Sequence, residues 1–259
     1  MSRLARKRFG QNFLVDRAVI RRIIDTIGPV AGELLIEIGP GHGAITTPLL
    51  ESGAELMVVE IDRNLASALE QRYTDQPRLT IRQADALQTD FGELAGGRPY
   101  RLVGNLPYNI STPLIFHVLG LAQAPLDMHF MLQKEVVERL AADPGGKDYG
   151  RLGVMCQNRC EVTPLFTIGP DAFEPAPRVE SMFVRLRPRG EPVSGQALLE
   201  PLDRVVRAAF SKRRKTLRNS LAGLLTEAQV AEVGIDPGLR AEQLSLDDFI
   251  QLARLLNSE

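Results

Sequence analysis

Apolar and polar residues along this chain fall into two periods, and the points where one gives way to the other mark its elements. From residue 17 to 27, Val19, Ile20, Ile23, Ile24 and Ile27 share one face of a helix. Asp16 stands where an N-cap belongs, and Gly28-Pro29 stops the helix. Leu34-Leu35-Ile36-Glu37-Ile38 is a continuous apolar run of strand length. It enters a glycine-rich turn, Gly39 to Gly43, and then a helix from about Ala44 to Leu50. Further strands are expected at 56–62, 79–82, 101–104 and 127–132, with helices at 64–73, 111–121 and 134–142. Ser111 reads as an N-cap, with Pro113 in the first turn behind it. After a helix near 151–158, strands at 162–168 and 180–186 should pair antiparallel at the sheet edge. Strand, turn and helix in repetition predict an α/β, doubly wound sheet.

Two segments break this rhythm. Residues 143–150, Asp-Pro-Gly-Gly-Lys-Asp-Tyr-Gly, have the composition of a mobile loop that comes after the site region and is able to gate it. Residues 189–195 have the composition of a linker, and the remainder of the chain is helical throughout. The expected organisation is therefore a Rossmann-like domain over 1–188, a linker over 189–195 and a small all-α domain over 196–259.

Composition changes little in that picture. The chain has 259 residues, 44% hydrophobic and 24% charged, as an ordinary soluble domain does. Its 31 basic and 32 acidic residues give a net charge of −1, so only their distribution points to a partner. Cations crowd at Arg3, Arg6, Lys7 and Arg8, and again at Lys212, Arg213, Arg214, Lys215 and Arg218. The second run has few acidic neighbours in sequence, which favours phosphate contact over a merely solvated face. Cys156 and Cys160 lack the companions of a zinc site or a disulfide framework. With no membrane-length apolar run and no signal-peptide core, the chain is expected to be cytoplasmic.

The chemistry concentrates in Asn105-Leu106-Pro107-Tyr108, at the carboxyl end of an expected central strand. The Asn105 side-chain oxygen can accept one N–H of an exocyclic amino group, and the carbonyl of Leu106 or Pro107 the other. Two such acceptors draw an adenine amino nitrogen toward sp³ geometry and restore its nucleophilicity. Tyr108 offers a stacking face, worth about 1–3 kcal/mol per base. A polar turn would use the same residues. The turn Gly39-Pro40-Gly41 lacks the dinucleotide spacing and follows an acidic residue, which favours S-adenosylmethionine over a pyrophosphate. Glu60, some twenty residues on, is placed either to grip ribose hydroxyls or to cap the next helix. Asp85 suits either an adenine amino group or a turn, and Phe173 either a second stacking face or the core. Gln11-Asn12-Phe13 reads as a loop before a helix, and His42 and His117 as surface or packing residues.

Taken together, these segments resemble the ribosomal RNA adenine dimethyltransferase family, most closely its bacterial small-subunit (16S) branch. The resemblance runs from Gly10-Gln11-Asn12-Phe13-Leu14 through Glu37-Ile38-Gly39-Pro40-Gly41 and Asn105-Leu106-Pro107-Tyr108-Asn109-Ile110-Ser111. It continues through Phe173-Glu174-Pro175-Ala176-Pro177 to the segment Arg213 to Asn219, and so covers nearly the whole chain. It implies a seven-stranded methyltransferase sheet with one reversed edge strand and a small helical carboxyl-terminal domain. It implies cofactor contacts from Asn12, Leu14, Gly39, Gly41, Glu60, Asp85 and Asn105. Asn105 with Leu106 or Pro107 would hold the target amino group, while Tyr108 and Phe173 stack the flipped base. Arg6, Lys7, Arg8, Lys212, Arg213, Arg214, Lys215 and Arg218 would contact RNA. The substrate implied is two adjacent adenosines in the last hairpin loop of small-subunit RNA, each methylated twice on N6, within an immature 30S particle. No metal is implied, and a monomer is expected.

Three rivals remain. The large-subunit enzymes of macrolide resistance share the motif order, but tend to have isoleucine at the position of Leu106 and a different tail. A DNA adenine methyltransferase would need a DNA-reading domain for which the carboxyl-terminal residues leave no room. A ribosome-assembly factor whose methylation is secondary would keep its binding after loss of Asn105 or Glu60.

Overall fold

The computed structural model describes residues 12–107, 109–212 and 214–257. Arg6, Lys7, Arg8, Tyr108 and Arg213 lie outside the described residues. In chain order the elements are β1 (Phe13–Leu14), α1 (Arg17–Ile27), β2 (Leu34–Ile38), α2 (Thr46–Glu51), β3 (Glu55–Glu60), α3 (Arg63–Arg72) and β4 (Leu79–Gln83). Next come α4 (Phe91–Leu94), β5 (Arg101–Asn105), α5 (Ser111–Gly120), β6 (Met128–Gln133), α6 (Lys134–Ala141), α7 (Arg151–Arg159) and β7 (Cys160–Ile168). The chain ends with β8 (Phe173–Glu174), β9 (Ser181–Pro188), α8 (Leu199–Ser211), α9 (Leu217–Ser220), α10 (Glu227–Glu232) and α11 (Leu246–Asn257).

Two compact units form. One contains the described residues of Met1–Val137 together with Thr163–Pro188, the other Glu138–Val162 with Arg189–Glu259. The first is a seven-stranded sheet in the order β4-β3-β2-β5-β6-β9-β7. Strands β4, β3, β2, β5 and β6 run parallel. The order reverses between β2 and β5, so a crevice opens at the carboxyl ends of these strands. Asp16 caps α1 by accepting from the N–H groups of Ala18 and Val19 at 2.7 and 3.0 Å, and Ile23 and Ile27 anchor that helix in the core.

Three expectations need correction here. Ser111 is the first residue of α5, and Ile110 at the cap position makes no side-chain cap bond. The reversed strand, β9, is not at the edge: it pairs antiparallel with β6 and lies inside β7. Side-chain burial explains the order, since Phe183, Val184 and Leu186 need cover on both faces. β7 carries Pro164, which cannot donate to a ladder and is tolerated at an edge. The loop 143–150 is pinned within the second unit. Gly145 N–H donates to the Glu242 carbonyl at 2.7 Å, and Tyr149 is buried with its ring 6.1 Å from that of Phe210.

The second unit also departs from the expected boundaries, because it takes in 138–162. Helix α7 buries Val154, Met155, Cys156 and Asn158, and Arg151 pairs with Asp203 of α8 at 2.8 Å. The stretch 189–195 is bound to the same helix. Asn158 accepts from Ser194 N–H at 2.9 Å, its main-chain carbonyl accepts from Val193 N–H at 2.8 Å, and Arg189 N–H donates to Arg159 at 2.9 Å. Polar composition marked a linker, but one buried asparagine holds it down.

Gly104 in β5 has no substitute. A Cβ there would stand 2.5 Å from the Ile38 carbonyl oxygen, a main-chain atom of the neighbouring strand. Gly104→Ala is expected to cost about 2–4 kcal/mol and to be read as a lower midpoint in urea. A midpoint equal to that of the parent would show that β2 and β5 can part at this position.

Candidate functional site

All the pocket residues come from the first unit. A cavity of about 340 Å³ opens where β2, β3, β4 and β5 end. Asn12 and Leu14 border it, as do Gly39 and Gly41 after β2, Glu60 at the end of β3, Asp85 after β4, Asn105, Leu106 and Pro107 after β5, and Phe173 in β8. The described residues expected for the cofactor and for the target amino group thus line one space.

Each carboxylate has a distinct place. Glu60 is 4% exposed and accepts the Asp62 N–H at 2.9 Å. Burial pushes its pKa up, while main-chain N–H groups of Asp62, Gly41 and Ile61 act against that rise. Helix α3 is capped by Asp62, which accepts from Asn64 N–H at 2.8 Å, so Glu60 is not its cap. One Asp85 oxygen accepts from Leu87 N–H at 2.9 Å; this residue both makes a turn and borders the cavity.

Asn105 ends β5 with its Nδ2 donating to the Asn12 carbonyl at 3.1 Å. Of the two candidate carbonyls beside it, that of Pro107 accepts from Ile110 N–H at 3.1 Å. That favours Leu106 as the second acceptor. Leu106 itself is held by its N–H, which donates to the Met131 carbonyl at 3.2 Å. Phe173 is only 5% exposed: it belongs to the core, as one of its two readings had it, and it also borders the cavity.

The glycine turn fits a ligand that needs close approach. Gly41 has φ 59°, and a Cβ there would meet Phe13 Cδ1 at 2.9 Å. The Phe13 ring also packs on His42, with centroids 4.2 Å apart. His42 is thus a packing residue, one of the two readings its sequence left open, and it also belongs to the cavity wall. His117 is a packing residue, with Nε2 2.8 Å from the Thr89 carbonyl. Sequence reasoning missed Ile61, Ala86 and Leu87, an apolar wall suited to the flat face of an adenine. The one signal in the sequence was that Ile61 directly follows Glu60; in the fold it is 50% exposed despite its size. Cavity size, glycine approach, carboxylate and apolar wall fit S-adenosylmethionine.

Glu37, beneath the turn, is 1% exposed and accepts the Thr46 hydroxyl at 2.6 Å. Burial pushes its pKa up to about 8, with the Thr46 bond opposing the rise and the Glu60 charge adding to it. The folded chain therefore keeps at neutral pH a proton that the unfolded chain releases near 4.5. Stability should fall as pH rises from about 4.5 to about 8, by at most about 1.4 kcal/mol per unit, and level off above. Glu37→Gln keeps an acceptor for Thr46 and is expected to flatten that slope in melts taken across the window. An unchanged slope would show Glu37 ionised in the fold.

In the second unit Lys212, Arg214 and Lys215 are exposed just beyond α8. Leu217 N–H donates to the Leu239 carbonyl at 2.8 Å, which ties the segment to the chain at 237–240. Arg218 differs from its neighbours. It pairs with Glu227 at 2.8 Å, an acidic partner nine residues on that the density of cations concealed. Cys156 and Cys160 are buried free thiols with sulfurs 3.3 Å apart. Among the described residues no group of three or more His, Cys, Asp or Glu could hold a metal, and no helix is long and apolar enough to cross a membrane.

Comparison with known proteins agrees with this geometry. A chain from Marinobacter nauticus named ribosomal RNA small subunit methyltransferase A is 54% identical over 252 residues, 97% of this chain and 91% of the relative. A protein of the same name from Methylococcus capsulatus is 50% identical over 257 residues, 99% of this chain and 100% of its own. Among solved structures, a dimethyladenosine transferase from Plasmodium falciparum superposes with TM-score 0.79 at 26% identity, over 95% of this chain and 98% of that one. The 23S rRNA methyltransferase ErmE does so with TM-score 0.75 at 26% identity, over 95% and 99%. The family profile described as ribosomal RNA adenine dimethylase matches residues 2–258. The chain has the α/β methyltransferase fold and belongs to the ribosomal RNA adenine dimethylase family, whose methyl donor is S-adenosylmethionine.

Proposed function

We propose that this chain transfers methyl groups to N6 of two adjacent adenosines in the 3′-terminal hairpin loop of 16S rRNA, giving N6,N6-dimethyladenosines during small-subunit assembly. The observation that carries the chemistry is Asn105 at the end of β5, bordering one cavity with Glu60 and Asp85. Small-subunit specificity is supported by relatives of that name at 50 and 54% identity, against 26% for the large-subunit enzyme.

When bound, S-adenosylmethionine supplies an electrophilic methyl group. Glu60 would hold the ribose hydroxyls, Asp85 the adenine amino group, and Asn12, Leu14, Gly39 and Gly41 the remainder. Asn105 Oδ1 and the Leu106 carbonyl accept the two N–H groups of the target and localise the N6 lone pair. Phe173, which borders the cavity, and Tyr108 would stack the flipped base. Because the target lies in a loop, turning the base out of its stack costs less than in a duplex. Lys212, Arg213, Arg214 and Lys215 contact RNA phosphates, with Arg6, Lys7 and Arg8 doing so at the other end of the chain. Arg218 contributes less, because Glu227 neutralises it. The partner is the immature 30S particle, and the protein acts as a cytoplasmic monomer.

Transfer of labelled methyl groups to undermethylated small subunits, with large-subunit RNA as control, tests the assignment. Label confined to the small-subunit RNA is expected. Label on large-subunit RNA alone would move the chain to the resistance branch, and none on either would leave an assembly factor.

A further inference from the structure

The amide of Asn105 has a donor end and an acceptor end, and the fold determines which one faces the target. Nδ2 donates to the main-chain carbonyl oxygen of Asn12 at 3.1 Å. A carbonyl has no proton to give, so only the NH2 end of the amide can face it. Oδ1 is left as the group for the cavity. We propose that the Asn12 carbonyl is a positioning group for methyl transfer, locking Asn105 so that Oδ1 and never Nδ2 meets the target amino group. The proposal rests on the reading of the site as an adenine N6-methyltransferase.

The carbonyl is itself held in place. Phe13 and Leu14, the next two residues, pair antiparallel with Glu174 and Phe173 of β8. The N–H groups of Val15 and Asp16 both donate to the Ala172 carbonyl, at 2.9 and 3.3 Å. The Phe13 ring lies against Gly41, leaving no space for a Cβ there. The residue that leads into β1 thus has a task of its own, since its backbone carbonyl sets the direction of a catalytic amide. The same contact accounts for asparagine, and not aspartate, at position 105. An ionised aspartate would set one oxygen against another at the same separation with no proton between them. A protonated aspartic acid would restore the arrangement, its O–H donating to Asn12 and its C=O taking the place of Oδ1.

Asn105→Asp provides the test, by single-turnover methyl transfer at saturating cofactor across a range of pH. The variant should be about 100-fold slower than the parent at high pH and should regain about tenfold as pH falls and its carboxyl protonates, whereas Asn105→Ala should be slow at every pH. Parental speed for Asn105→Asp at high pH would overturn the proposal, as would a slow rate that does not respond to pH. A parent inactive on every RNA would instead remove the reaction reading. The lock is then read by NMR in the protein alone. The Asn105 side-chain NH2 resonances, identified by their loss in Asn105→Ala, should exchange with solvent more slowly than those of exposed asparagines, and equal rates would overturn the proposal.

Discussion

Asn105→Ala is expected to lower the single-turnover rate of methyl transfer about 10²–10³-fold, while the protein remains folded. Removing one preorganised partner of a transition-state charge costs about 3–4 kcal/mol in comparable sites. The target nitrogen would keep only the Leu106 carbonyl, and its lone pair would return toward conjugation with the ring. Folding loses one hydrogen bond, to Asn12, worth about 1 kcal/mol. Cofactor affinity should change far less than the rate, because Glu60 at the end of β3 and Asp85 in the turn after β4 are held independently of Asn105. Rate and affinity measured together check this. A variant that lost cofactor binding as steeply as turnover would show Asn105 to be a cofactor ligand first. The second methyl transfer should suffer more than the first, for a monomethylated amino group has a single N–H to place.

Replacing Lys212, Arg214 and Lys215 together by alanine should weaken binding to small-subunit RNA about 50-fold at 0.15 M salt. Each single-strand phosphate contact contributes about 0.7 to the slope of log affinity against log salt, so three contacts lower it by about 2. All three side chains are exposed, and the turn that carries them is held by main-chain bonds, among them Lys215 N–H to the Lys212 carbonyl at 2.8 Å. The substitution should therefore leave stability within about 0.5 kcal/mol. Arg218→Ala alone should alter the slope less than any one of these, since it loses an ion pair with Glu227 at the same time. Binding titrated over several salt concentrations separates the cases. An unchanged slope in the triple variant would place the RNA elsewhere on the protein.

The strands and the crevice were legible because their signals are local. Leu34 to Ile38 is apolar but for Glu37, and β2 is buried throughout. Glu60, Asp85 and Asn105 each end or follow a strand, and strand ends in a parallel sheet converge on one crevice. What escaped was set by partners distant in sequence. β1 and β8 are two residues each, too short for any period, and exist because Phe13 meets Glu174 and Leu14 meets Phe173. That pair turns the loop expected at Gln11 to Phe13 into a cavity wall at Asn12 and Phe13. Glycines at 145, 146 and 150 suggested mobility, but Tyr149 within the same stretch is buried. A chain that folds back to place 138–162 with its last helices leaves no mark in composition, since α7 is buried from Gly153 to Cys156 in succession and its sequence does not say which elements cover it.

Dimethylation of adenine N6 on small-subunit RNA by this crevice is tested by mass spectrometry of the 3′-terminal fragment of 16S rRNA, after undermethylated subunits react with the protein and S-adenosylmethionine. Two methyl groups are expected on each of two adjacent adenosines, and far fewer in the same reaction time when Asn105→Ala replaces the parent. Methylation at any other base, or dimethyladenosine formed equally well by the variant, would contradict the assignment.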